Sequence, residues 1–341
     1  MQDCLRPEAT ADGGACESLG SSPLSFVCAI AALVCTSIAP AYCQIARTEV
    51  ITFQSTTLTD QEFLSGAKGG KAVTLGGVLR LPAGTGKVPV AILLHGSGGV
   101  SGYVTEWEDD YNALGMGTFV IDSFTGRGIV NTNVDQFVLG RLAMIIDAYR
   151  ALEVLARHPR VDPSRIVLMG FSRGGQSALY ASLKRFHRMH GPDRLSFAAF
   201  IPLYANCGTT FVDDDDLVDR PVRMFHGSAD DYVPVAPCRS YVQRLKAKSR
   251  DVQLTEYADA GHVFDGKAFK TPLIVPNWQT FRKCVLAEAQ AGTVINTQTG
   301  QVFANGDPCI ELGPTVVYNE KASREVRLAV TDFMKATVLK K

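Results

Sequence analysis

Arg165-Ile166-Val167-Leu168-Met169-Gly170-Phe171-Ser172-Arg173-Gly174-Gly175 decides how this chain must fold. Arg165 to Met169 is a short apolar run, the mark of a strand buried on both faces. Gly174 to Arg185 has the spacing of a helix. Between them sits G-x-S-x-G, on a turn so tight that side chains two before and two after the serine would clash. Such a turn lifts a serine hydroxyl to the carboxyl edge of a sheet and aims a helix N-terminus at the same point.

Working outward, the same alternation recurs. Thr48 to Gln54 and Lys71 to Leu81 read as an antiparallel pair at one sheet edge. Val88 to Leu94 and Gly117 to Asp122 are further buried runs, and Phe197 to Leu203, Val222 to His226 and Gln253 to Tyr257 are three more. Val134 to Arg157 carries Leu142, Ile145, Ile146, Tyr149, Leu152 and Leu155 at helical spacing, ended by Pro159. Ala322 to Leu339 reads as a closing amphipathic helix. Buried strands alternating with helices predict an α/β fold, with a mostly parallel, doubly wound sheet flanked by helices. Sites on such sheets lie at the carboxyl ends of strands.

A serine hydroxyl needs a base. His158 precedes Pro159 at a helix end, His187 and His190 lie in a basic polar stretch, and His95 and His226 each precede a glycine at a strand end. His262 stands in Asp259-Ala260-Gly261-His262-Val263-Phe264, just after the last sheet strand, where it can reach the serine. The loop after the preceding strand offers Asp230 and Asp231. Asp230 is the preferred partner, to hold the imidazole tautomer and stabilise the imidazolium. Two backbone N–H donors are expected for an oxyanion: Arg173, next to the nucleophile, and Ser97, in His95-Gly96-Ser97-Gly98-Gly99. The order Ser172, Asp230, His262 is the α/β-hydrolase order. Trp107, Arg127 and Tyr204 are candidate substrate contacts, with packing or a local ion pair as the alternative for each.

The chain has 341 residues, 34 Lys plus Arg against 34 Asp plus Glu, and 46% hydrophobic residues. That composition excludes a disordered chain and gives no electrostatic reason to expect nucleic acid. Asp213 to Asp216 reads as a solvated loop and not as a calcium site, which would need further oxygen ligands. No metal is expected.

Leu24 to Ala41 is uncharged and ends in Ala39-Pro40-Ala41. It reads as a signal peptide cleaved after Ala41 or after Cys43, although Asp3, Glu8, Asp12 and Glu17 outnumber Arg6 before it. An uncleaved anchor is the alternative. The expected domains are a signal peptide and extension over 1–43 and one catalytic domain over 44–341, with an insertion at about 272–312. The mature protein is expected to be exported, periplasmic or secreted, with no stable membrane span and no cofactor. Cys207, Cys238, Cys284 and Cys309 then remain in the body, and the favoured pairings are Cys207–Cys238 and Cys284–Cys309. The second would close a small hairpin read from TVIN-TQTG-QVFA.

LLHGSGG, DSFTGRG, GFSRGG, HGSADDYVP and AGHVF resemble, in order, the motifs of the dienelactone hydrolase family within the α/β-hydrolases. The resemblance covers roughly Lys71 to Phe264 and the last helix. It implies an α/β-hydrolase fold and a metal-free hydrolase of esters or lactones. Members proper carry a cysteine nucleophile and a glutamate just before the oxyanion-loop glycine. Here those places are Ser172 and Leu93-Leu94-His95-Gly96, which favours a serine esterase. A peptidase or acyltransferase on the same fold, or a non-catalytic binding protein, are the alternatives. The expected partner is a small ester or lactone.

Overall fold

The computed structural model describes residues 45–340. The proposed signal peptide and the cysteines at 4, 16, 28, 35 and 43 lie outside them.

Strands β1 (Ile45–Thr57), β2 (Lys71–Pro82), β3 (Val88–Leu94), β4 (Gly117–Asp122), β5 (Val161–Phe171), β6 (Ala199–Leu203), β7 (Val222–Gly227) and β8 (Val252–Tyr257) form one sheet. Their order is β1-β2-β4-β3-β5-β6-β7-β8. The β1–β2 and β2–β4 pairs are antiparallel and the others parallel. This is the α/β-hydrolase arrangement, with the expected antiparallel pair at the edge.

The sheet has two covered faces because its strand residues are apolar on both. Along β3, Ile92 and Leu94 join the core on one side, with Ile145, Ile146 and Leu152. Ala91 and Leu93 join the other, with Trp107, Val326 and Val330. Each fully buried aliphatic side chain stabilises by about 1.5–3 kcal/mol, so both faces need helices over them. The helices are α1 (Asp60–Leu64), α2 (Gly102–Ala113), α3 (Ala143–Ala156), α4 (Arg173–Tyr180), α5 (Lys184–His190), α6 (Ala236–Ala247) and α7 (Glu320–Thr337). α2 and α7 supply one face; α3, α4 and α6 supply the other.

The helix expected over Val134 to Arg157 is shorter at its start, and 134–142 is a loop. Its carbonyls are taken from outside: Arg173 donates to the oxygens of Gln136, Leu139 and Gly140. Asp60 accepts from the Leu142 N–H. The helix expected over Gly174 to Arg185 is two helices, α4 and α5, separated at 181–183. α2 was not anticipated, because its polar residues mask the buried Val104, Trp107 and Tyr111.

Between β8 and α7 the chain makes short antiparallel ladders, Leu273–Ile274 on Thr315–Val316 and Gln279–Thr280 on Glu311–Leu312. Leu286–Glu288 pairs with Val294–Asn296, and Ile295 bridges Val302 across a turn, giving the expected hairpin. The cystines are Cys207–Cys238 and Cys284–Cys309, each with Cα atoms 5.0 Å apart.

Candidate active site

The carboxyl ends of β3, β5, β7 and β8 converge on Ser172. Its backbone sits at φ 52°, ψ −112°, between β5 and α4. A left-handed φ in a non-glycine residue is strained and must be held by its surroundings. Here the Ser172 N–H donates to Leu203 O at 3.0 Å and its carbonyl accepts from Gln176 N at 2.8 Å. The turn also needs its glycines. A Cβ on Gly174 would lie 2.2 Å from Leu94 O, and one on Gly170 would lie 2.0 Å from Gly174 O.

Ser172 Oγ lies 3.0 Å from His262 Nε2, and His262 Nδ1 lies 2.7 Å from Asp230 Oδ2. The carboxylate only accepts, so Nδ1 carries the proton and Nε2 is free to accept from the serine. The other Asp230 oxygen accepts from the N–H groups of Tyr232 (3.0 Å) and Val233 (2.7 Å). Asp230 is buried, which alone would raise its pKa. Electrostatic attraction to His262 and hydrogen bonds from His226 and His262, all stronger when the carboxyl is ionised, outweigh that and hold it well below the ordinary carboxylate range. Asp231 points elsewhere, accepting from Thr315 N and Oγ1 at 2.9 and 3.1 Å. His226 donates to Val233 O at 2.7 Å and so braces the Asp230 turn.

Ser97 lies on the loop after β3. A Cβ on Gly96 would approach Phe171 O to 3.3 Å and the Ser172 Cβ to 3.4 Å, so this loop lies against the nucleophile turn. Among the described residues the Ser97 N–H has no hydrogen-bond partner. His95 is fully buried and holds the loop. Its Nδ1–H donates to Gly96 O at 2.8 Å, and its Nε2 accepts from Ser123 N at 3.2 Å. Burial lowers its pKa, favouring this neutral form. Tyr103 Oη accepts from Gly96 N at 2.9 Å.

Two differently lined arms of a cleft meet at Ser172. Tyr103, Phe171, Tyr204, Val263, Phe269 and Trp278 line the apolar arm. Gln136, Arg141, Arg173, Gln176, Asn206 and Gln279 line the polar one. Tyr204 therefore reaches the site, with its ring centroid 4.9 Å from that of His262.

Trp107 and Arg127 do not reach it. Trp107 is buried under α2, and its Nε1–H donates to Asp265 at 2.7 Å, beside the Tyr204 hydroxyl, which donates to the same carboxyl at 2.9 Å. Arg127 makes a buried two-pronged ion pair with Asp147 and donates to Thr57. Its guanidinium is spent on the fold. Asp214 and Asp216 of the acidic run pair with Arg244, Lys184 and Arg250.

Three residues at the site escaped the sequence reading. Tyr232 packs its ring 4.6 Å from His262. Trp278 comes from the insertion, and Gln136 from a stretch read as helix. Only Tyr232, two residues past Asp230, carried a local signal.

The dienelactone hydrolase family model matches residues 75–338. The chain belongs to the dienelactone hydrolase family. It is thus a carboxylic ester hydrolase with an α/β-hydrolase fold. Among curated relatives, an acyl-protein thioesterase 1 from Gibberella zeae is 33% identical over 102 residues, covering 30% of this chain. The chain spans only 43% of that relative's length. A Bradyrhizobium protein named as a probable 2-oxo-3-(5-oxofuran-2-ylidene)propanoate lactonase is 22% identical over 195 residues, 54% of this chain and 77% of the relative. A thermophilic esterase structure from Thermogutta terrifontis aligns with a TM-score of 0.52 at 15% identity, over 87% of this chain and 98% of the other. At that identity the likeness speaks for the fold alone.

Proposed function

We propose that this family member is an exported serine hydrolase that cleaves small carboxylic esters or lactones through an acyl-enzyme. The observation that carries the reading is the unbroken hydrogen-bond chain Asp230–His262–Ser172. Ser172 Oγ attacks the ester carbonyl carbon while His262 Nε2 takes its proton. Asp230 steadies the imidazolium. The carbonyl oxygen becomes an oxyanion facing the N–H groups of Ser97 and Arg173, which are fixed before the charge develops. Collapse of the tetrahedral intermediate breaks the C–O bond, and His262 returns the proton to the leaving alkoxide. Water then enters, gives its proton to His262 and releases the acid from Ser172. For a lactone the leaving alkoxide stays tethered to the acyl group.

Two cystines in the body support an oxidising compartment, and among the described residues no helix is long and apolar enough to cross a membrane. Phe269 and Trp278 line the apolar arm beside Ser172, and short acyl chains are its expected occupants. The test is hydrolysis of p-nitrophenyl esters from acetate to dodecanoate, with intact-mass detection of the acyl adduct on rapid quench. Turnover of the short esters with an added acyl mass on the Ser172 peptide supports the reading. Turnover with no adduct at Ser172 under burst conditions overturns it.

A further inference from the structure

One side chain touches both residues proposed to supply the oxyanion donors. Gln136 Oε1 accepts from Ser97 Oγ at 3.2 Å and from Arg173 Nη2 at 2.9 Å. A guanidinium only donates, so the amide oxygen must face it, and this fixes which way the amide points. The amide nitrogen then donates to Tyr232 Oη at 3.2 Å, and the Tyr232 ring lies against His262. Gln136 is 9% exposed. It thus joins the loop after β3, the start of α4 and the aspartate loop after β7.

Its own backbone is held on both sides. Gln136 O accepts from Arg173 Nη2 at 2.6 Å, and Leu139 O and Gly140 O accept from Arg173 Nη1. Thr132 N, earlier in the same loop, donates to Ser97 O at 2.8 Å. The insertion grips the other side: Gln279 Oε1 accepts from Gln136 N at 2.8 Å, and Gln279 N donates to Asn133 O at 2.8 Å. Thr280 Oγ1 donates to Tyr232 O at 2.7 Å.

Arg173 has no carboxylate partner among the described residues. Its Nε is buried without a hydrogen bond, and burial lowers its pKa to about 10. Its charge is held by loop carbonyls and by the Gln136 amide oxygen. Removing that oxygen leaves a buried cation short of an acceptor and frees the Ser97 hydroxyl.

We propose that Gln136 is a positioning residue for the oxyanion hole: through one shared amide oxygen it sets Ser97 against Arg173, and the cystine-closed insertion holds it there. Substrate does not need to touch it. An oxyanion hole stabilises only if its donors are placed before the charge appears, so loosening them weakens the transition state more than the bound ester. The insertion is then a buttress of the catalytic centre and not only a wall of the cleft. This inference rests on the serine-hydrolase reading.

The test is steady-state hydrolysis of p-nitrophenyl butyrate by the wild type, Gln136→Met and Gln136→Glu, with phenylboronic acid inhibition and thermal midpoints for each. The boronate forms a tetrahedral adduct on the serine and reports on the oxyanion hole directly. Gln136→Met should lower kcat on the order of 10- to 100-fold, less than the roughly 10²–10³ of deleting a donor, with KM within about twofold. Its phenylboronate affinity should fall in proportion. Gln136→Glu keeps an accepting oxygen for Ser97 and Arg173 and should recover most of the rate. If Gln136→Met does not fold, Gln136→Asn, which withdraws the amide by one methylene, is read the same way. Unchanged kcat, a kcat loss with unchanged boronate affinity, or equal losses in the Met and Glu variants each overturn the proposal. Ser172→Ala in the same assay separates the two failures: wild-type rates there reject the serine reading, whereas an inactive Ser172→Ala beside a fully active Gln136→Met rejects only the role of Gln136.

Discussion

A Cβ placed on Gly174 would lie 2.2 Å from the carbonyl oxygen of Leu94, the last residue of β3. The helix that begins beside Ser172 is therefore packed backbone to backbone against the strand that leads to the oxyanion loop. Gly174→Ala must push α4 off that strand or distort the turn, at a cost of about 1–3 kcal/mol or more. Gly86 has no atom within 4 Å of its Cβ position. Gly86→Ala should change the unfolding free energy by no more than about 0.5 kcal/mol. Urea denaturation of both variants measures the difference, and equal midpoints would show that the close approach is not a constraint.

Asp230→Asn should cut kcat by about 10⁴, because the imidazole loses both its fixed tautomer and its countercharge. Asp231→Asn should stay within a few-fold of wild type, since that carboxylate grips Thr315 and not His262. Reversed outcomes would exchange the two roles.

The buried histidines give the fold a pH dependence. Burial lowers the pKa of His95 and His190 below the ordinary 6.5. The unfolded chain therefore takes up protons first as pH falls through 6.5, and the stability these neutral rings contribute above that pH is lost progressively toward their lower folded values. Thermal midpoints from pH 8 to pH 5 should fall, and His95→Asn should flatten the slope. A wild-type profile level across that range would contradict the account.

How much of this was legible in sequence depends on how local the signal is. The Gly170–Gly175 turn, the strand runs and the order of Ser172, Asp230 and His262 follow from short-range sterics and from which strand end each loop leaves. Gln136 was not legible, because nothing in Val134-Asp135-Gln136-Phe137 says that Arg173, 37 residues later, will take its carbonyl. The same blindness extended a helix over 134–142. Arg127 read as a candidate anion contact because of its place after β4, with a local ion pair as the alternative, and the structure gives the ion pair, with Asp147 on α3, a partner the sequence did not single out. Such pairings are tertiary, and periodicity does not contain them.

The two cystines close loops of 31 and 25 residues in sequence separation. Replacing both members of either pair with serine should destabilise the protein by about 3 kcal/mol, mainly by freeing the unfolded chain. Loss of Cys284–Cys309 should in addition lower kcat, since Gln279 and Thr280 lie just before Cys284 and pair with Glu311–Leu312, just after Cys309, so that the cystine fastens the base of the ladder that carries them. Guanidinium titration and ester hydrolysis of the double-serine variants check the two effects; an unchanged unfolding midpoint would argue against the first.

The central claim is that Ser172 is the nucleophile. The most direct measurement is the rate of p-nitrophenyl butyrate hydrolysis by Ser172→Ala beside the wild type, with thermal midpoints to confirm that both are folded. The account predicts a fall of about 10³ or more, as removal of a triad nucleophile requires. Equal rates from two folded proteins would contradict it.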